Sequence, residues 1–181
     1  MTLAPRATPE LTALVDLFYS QIAELGTFTE VAAAELPDVF RRLLAHDKHM
    51  TVTVENHHRS PVDVRVLDTR TTDTHYSRKI LLNRQSDGRV VQFGIVRLTL
   101  SFLAPEVRAE IERQQTPLGR VLIEHNVLRN VRLLSLWRIE PGPDLCGMFN
   151  LSSAETCYGR TALIYCNGVP AVELLEIVTP E

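Results

Sequence analysis

The chain has 181 residues, 19 of them Lys or Arg and 22 Asp or Glu, for a formal net charge of -3. That length fits one domain around one core, so residues 1–181 are expected to fold as a single unit. The mixed charge excludes the clustered basic face that nucleic-acid binding needs. No apolar run reaches bilayer-spanning length, and MTLAPRATPE lacks the charged-then-apolar order of a secretion signal, so a cytoplasmic protein is expected.

TPELTALVDLFYSQIAEL reads as the first helix. Thr8 caps it, Pro9 occupies the first helical position, Glu10 sits in the first turn, and Gly26 ends it. Leu11, Leu14, Val15, Leu17, Phe18 and Ile22 follow helical periodicity. A second helical stretch starts at Thr27 or Thr29 and runs through VAAAEL, is interrupted by Pro37, and resumes in FRRLLAH. MTVTVENHH alternates and reads as a strand, on which His57 and His58 face opposite ways.

Three more alternating segments follow: VDVRVLDTR, HYSRKILLNR and VVQFGIVRLTLSFL, with the turn signal Ser-Asp-Gly before the last. Gly94, inside that strand, marks a bulge or a close approach to the backbone. VRAEIERQQ is a helix that halts before Thr116, and a short helix runs from Pro117 to about His125. VLRNVRLLSLWRIE reads as a strand and PGPDLCGMFNLSSAET as a turn-rich loop. In CYGRTALIYCNGVPAVELLEIVTP, Asn-Gly between two apolar runs signals a hairpin. The expected class is α+β: one largely antiparallel sheet with helices packed on one side.

Searches for a phosphate loop, a nucleophile elbow or a zinc-protease helix find none, and the six histidines form no ligand set. Neither a metal nor a cofactor is expected. Cys146, Cys157 and Cys166 read as small thiols in a reducing compartment, the latter two on a buried strand pair. What remains is charge inside apolar strands: Arg78, Arg97, Arg160, Glu173 and Glu176. Alternation puts the two glutamates on opposite faces. A carboxylate on an apolar face needs a partner. Two readings stand: a structural Arg–Glu pair, or a closed pocket in which arginine grips a small anion and a glutamate serves as acid or hydrogen-bond partner.

Four features stand in one order: SRKILL, a long strand containing FG, TPLGRVL, and a terminal YGR…NGVP…E…P hairpin. That order resembles the chorismate pyruvate-lyase family, which makes 4-hydroxybenzoate, and is closer to its divergent bacterial branch of glycolipid and secondary pathways. The resemblance covers roughly residues 70–181, and the N-terminal part only by order of elements. It implies a chorismate lyase-like fold and elimination of pyruvate from chorismate without metal or redox cofactor. It also implies roles. Arg78 would bind a carboxylate, Leu118 and Gly119 would offer backbone N–H groups to it, and Glu176 would act at the ether or hydroxyl oxygen. Arg160 matches the first arginine of the hairpin motif, as a contact or as a structural salt bridge, and Gly94 borders the substrate. The sequence departs from the family at Ile95, where a cation or a polar residue is usual. Arg97, two residues on, is the candidate to replace that charge.

Two alternatives accompany the lyase. One is an enzyme of specialised metabolism acting on another small carboxylic acid. The other is a non-catalytic module binding an aromatic acid, since this fold also forms the effector-binding half of certain bacterial regulators. The small molecule is the only partner expected, with no nucleic acid and no membrane; the oligomeric state is open.

Overall fold

The computed structural model describes residues 11–127, 129–152 and 155–180. Seven strands form one antiparallel sheet: β1 (Gly26–Val31), β2 (Val62–Thr71), β3 (His75–Arg84), β4 (Val90–Thr99), β5 (Arg129–Pro141), β6 (Cys157–Cys166) and β7 (Val169–Val178). Their spatial order is β1-β5-β6-β7-β4-β3-β2. The two sequential groups, β2–β4 and β5–β7, thus meet where β4 pairs with β7 at the centre. The β6–β7 hairpin closes through Asn167 (φ 51) and Gly168 (φ 85), the two left-handed positions that an Asn-Gly turn supplies.

Among the described residues six α-helices flank the sheet: α1 (Leu11–Val15), α2 (Asp38–Leu44), α3 (Met50–His58), α4 (Pro105–Glu112), α5 (Leu118–Glu124) and α6 (Pro143–Phe149). The α+β class and antiparallel sheet are as expected, but helices cover both faces. On one face α4 and α5 bury Val107, Ile111, Val121 and Leu122 over Val96, Leu98 and Leu174, while α2 and α3 bury Leu44, Met50 and Val54 beside Ile80 and Val178. On the other face α1 and α6 bury Leu14, Val15, Leu145 and Phe149 against Phe93, Ile95, Leu175 and Ile177.

Four local expectations are corrected. MTVTVENHH is helix α3, not a strand: Met50, Thr51 and Val54 are buried, the helical i, i+1, i+4 set, and Val52 faces solvent. Thr53 anchors its first turn, donating from N and Oγ1 to the His49 carbonyl. GTFTEV is edge strand β1, not a helix, and Phe28 packs edge-on against Trp137 of β5. The loop after β5 contains α6, with Pro143 in its first turn, where a missing N–H costs nothing. The first helix stops at Val15, and only a 3-10 turn at Ile22–Glu24 follows; Thr8, Pro9 and Glu10 lie outside the described residues. Gly94 holds a regular place between Ile80 and Glu176, with the β3–β4 bulge lying instead at Leu82/Asn83.

Candidate functional site

Cross-strand neighbours in an antiparallel pair share a face. One row under α2–α5 therefore reads Arg78–Val96–Leu174–Ala162, and the next reads Ile80–Gly94–Glu176–Arg160–Leu136. Arg78, Arg160, Glu176 and Gly94 share this face. A Cβ on Gly94 would stand 3.2 Å from Ile80 Cγ1, so the glycine keeps the space between Ile80 and Glu176 narrow.

Arg160 has no exposure to solvent and Glu176 is buried. Arg160 Nε donates to Glu176 Oε2 at 2.8 Å, a charge-assisted bond. Its Nη1 donates to the His46 carbonyl at 2.8 Å and its Nη2 to the Lys48 carbonyl at 2.9 Å. The α2–α3 linker is thus clamped to the sheet, and Asp47 Oδ1 strengthens the hold by accepting the Leu133 N–H at 3.0 Å. Arg160 spends three nitrogens inside the protein, which makes it the group that fixes Glu176 and the linker.

Above this pair lies a cavity lined by His49, Thr51, Leu118, Gly119, Arg160 and Glu176, among others. The open space of ≈ 20 Å³ suits a single water. An aromatic acid is several times larger, so its entry requires α3 and α5 to part. The two helices are close because residue 119 is glycine: a Cβ there would meet Thr51 Oγ1 at 3.0 Å and His49 Cβ at 3.4 Å. At the rim the pair is tied by an ion pair between Arg120 and Glu55.

His49 and His46 were not singled out from the sequence, because the linker carrying them has no recognisable motif. The buried Nε2 of His49 has no hydrogen-bond partner among the described residues. Burial, with the cations of Arg129 and Arg160 nearby, lowers its pKa to about 4, so the imidazole is neutral near physiological pH. His46 is also lowered, by burial first and by Arg160 second.

Arg78 is 1% exposed, and its Nη1 lies 3.5 Å from the Ile111 carbonyl, a long contact. Its Nε has no partner, and no carboxylate among the described residues pairs with it. Burial accordingly pulls its pKa down from the usual arginine value. Desolvating a guanidinium without a counter-charge costs several kcal/mol, and a bound anion removes that cost.

Arg97 is not part of this site. It lies on the opposite face with Ile95 and donates from Nη2 to Glu173 Oε1 at 2.8 Å, with a second contact from Nε to Oε2. Ile95 is fully buried in the core under α1 and α6. The register thus puts Arg97 on the same face as Ile95, as expected, but that face lies across the sheet from Arg78 and Glu176, so Arg97 brings no cation to them. Cys157 and Cys166 are buried, and burial pushes their thiols up to about 12 and about 11. Among the described residues no group of three or more His, Cys, Asp or Glu is placed to hold a metal ion. No described helix is long and apolar enough to cross a membrane.

No family model and no curated protein matches the chain. Solved structures do. PhnF from Mycobacterium smegmatis aligns with a TM-score of 0.50 at 10% identity, covering 72% of this chain and 63% of that one. The ligand-binding domain of a putative GntR-family transcriptional regulator from Bordetella bronchiseptica gives 0.49 at 11%, covering 66% and 86%. A possible transcriptional regulator, YydK from Bacillus subtilis, gives 0.47 at 11%, covering 65% and 58%. The chain thus spans less than two thirds of the length of PhnF and of YydK. At these identities the likeness is one of fold: an open antiparallel sheet with helices, of the chorismate lyase-like kind.

Proposed function

We propose that the chain binds a small carboxylate-bearing compound on the sheet face beneath α3, α4 and α5. The observation that carries this is Arg78, a buried guanidinium that, among the described residues, has an unpartnered Nε and no paired carboxylate. A ligand carboxylate is the anion whose geometry matches its planar fork. Glu176, on the adjacent row, meets the oxygen-bearing end of the ligand, and Leu118 and Gly119 line the cavity over Glu176.

The finer reading is chorismate pyruvate-lyase activity, supported by the motif order in the sequence and by Glu176 lining the cavity. In that reaction Arg78 holds the ring carboxylate, and Glu176 assists proton transfer at the ether oxygen as the enolpyruvyl group leaves as pyruvate. Arg160 orients Glu176 and touches no reacting atom. Two assays, each run on two proteins, separate the readings. Purified protein is mixed with chorismate while 4-hydroxybenzoate and pyruvate are followed, its affinity for 4-hydroxybenzoate is measured by calorimetry, and both are repeated with Arg78→Met. Turnover that Arg78→Met abolishes supports the lyase. Binding without turnover supports the ligand-binding module. An Arg78→Met protein that binds as well as the wild type refutes the carboxylate clamp.

A further inference from the structure

The sheet is open, so it has two edges, β1 and β2. β1 offers six residues and one charge, Glu30, which already accepts from Ser135 Oγ at 2.7 Å. β2 is longer, at ten residues, and no described strand pairs with its outer side. An edge of that length is a template for another strand unless its side chains forbid pairing. Charges commonly do so, and β2 carries Asp63, Arg65, Asp68 and Arg70. Their order decides whether they repel a copy of the same strand or attract it.

Asp63 and Arg65 lie opposite Asn83 and Leu81 of β3, and Asp68 and Arg70 lie opposite Lys79 and Ser77. Those partners alternate along β3, so all four charges project from the same face of the sheet. In a regular strand Asp63 and Arg65 would point away from Asp68 and Arg70. Leu67, the extra residue where the register shifts between Val66 and Asp68, brings them together. Consider β2 laid antiparallel along a second copy of itself with full overlap, Val62 opposite Thr71. About that two-fold axis Asp63 faces Arg70 of the second copy, and Arg65 faces Asp68 of the second copy. Every cross-strand charge then meets its opposite. A slip of two residues sets Asp63 against Asp68 in one direction and Arg65 against Arg70 in the other, so the charges also select the register.

The backbone agrees with that register. Just beyond the ends of β2, the Pro61 carbonyl accepts from Gln85 N and Thr72 N donates to the His75 carbonyl, both at 2.9 Å, so Pro61 and Thr72 bond inward. Alternation then turns the peptide groups of Val62, Val64, Thr69 and Thr71 outward. Accordingly Val62 N donates to Glu55 Oε1 at 3.1 Å and Thr69 N to Asp68 Oδ1 at 2.8 Å, not to β3. Full overlap sets Val64 against Thr69 of the second copy, one outward group against another. The charges themselves are held by surface contacts. Arg70 and Asp68 approach to 3.7 Å with side chains 58% and 43% exposed, and Gln85 Nε2 donates to Asp63 Oδ1 at 2.7 Å. Exposed contacts of this kind contribute little and leave the charges available to a partner.

We propose that β2 is a self-association surface, on which two copies of this chain pair their β2 strands antiparallel about a two-fold axis and join their sheets into one. The interface is isologous, as in most symmetric dimers. It does not rest on the small-carboxylate reading above.

Sedimentation velocity over a micromolar concentration series tests this, with circular dichroism to check that each variant folds. Wild type is expected to form a concentration-dependent dimer. Arg65→Asp sets a like charge against Asp68 at two symmetric places and is expected to weaken self-association by roughly tenfold or more. Arg65→Asp combined with Asp68→Arg restores opposite signs and is expected to return the affinity to within about threefold of wild type. A wild type that stays monomeric through the series overturns the proposal. So does a dimer indifferent to Arg65→Asp, or one that the double swap fails to restore. If the doubly swapped chain does not fold, Asp63→Arg, alone and with Arg70→Asp, repeats the test at the outer pair with the same deciding outcomes.

Discussion

Replacing Arg160 by methionine tests whether this arginine holds the site together or serves the ligand directly. The side chain is completely buried and donates to Glu176 Oε2, the His46 carbonyl and the Lys48 carbonyl at 2.8, 2.8 and 2.9 Å. Methionine fills most of the space but leaves the Glu176 carboxylate buried and unpaired, which costs about 3–5 kcal/mol. The freed carbonyls belong to a linker that reaches solvent, where water replaces most of what they lose, adding about 1 kcal/mol. The sum is a large part of the roughly 5–15 kcal/mol that a domain of this kind has. Urea denaturation of wild type, Arg160→Met, Glu176→Met and the double variant forms a cycle. The double variant carries no orphaned charge and is expected to lose only about 1–2 kcal/mol, so it should be more stable than Arg160→Met alone. An Arg160→Met protein within about 1 kcal/mol of wild type, or a double variant less stable than Arg160→Met, would refute the clamp.

Arg78→Met should act in the opposite direction. It removes an unpaired buried charge, so the ligand-free protein is expected to be unchanged or stabilised by up to about 3 kcal/mol in urea melts, while carboxylate binding is lost. Gly119→Ala forces a methyl against Thr51 Oγ1 at 3.0 Å and should separate α5 from α3 at a cost of about 1–2 kcal/mol, read as a lower melting temperature. His49 should make stability pH-dependent. Its folded pKa of about 4 lies below the ordinary 6.5, so the unfolded chain takes up the proton first as pH falls. The His49 contribution is therefore complete above 6.5 and lost progressively down to about 4, by up to ~3 kcal/mol. His49→Phe should flatten that slope, and an unchanged slope would show that other groups cause it.

The hairpins were legible because turn chemistry and period-2 alternation agreed, as at Asn167–Gly168 and in HYSRKILLNR. Alternation also separated Glu173 from Glu176, and register decides what alternation alone left open: Arg97 pairs across to Glu173, away from Glu176. MTVTVENHH misled because β-branched residues repeat at strand spacing, while the helix is held by burial of Met50, Thr51 and Val54 under tertiary packing. GTFTEV misled in the other direction: Thr27 and Thr29 looked like caps but are partners of Glu140 and Arg138 on an edge strand. The helix α6 was hidden among turn formers. The setting of His49 had no local signal, since it is made by burial in the tertiary fold and by Arg129 and Arg160, which come from the far half of the chain.

The clamp on the α2–α3 linker also bears on how the chain reaches its native state. Arg160 binds carbonyls 114 and 112 positions earlier in sequence, and these contacts close one of the longest loops in the molecule. Closing such a loop requires an entropic loss before any contact repays it, so these bonds belong to a late stage of folding. Both walls of the cavity must be present at once: α3 from the first third of the chain, β6 and β7 from its end. A nascent chain that has not yet extruded β6 has no half-formed cavity to offer. Ligand binding therefore reports a completed fold, and a ligand present during synthesis stabilises only finished molecules.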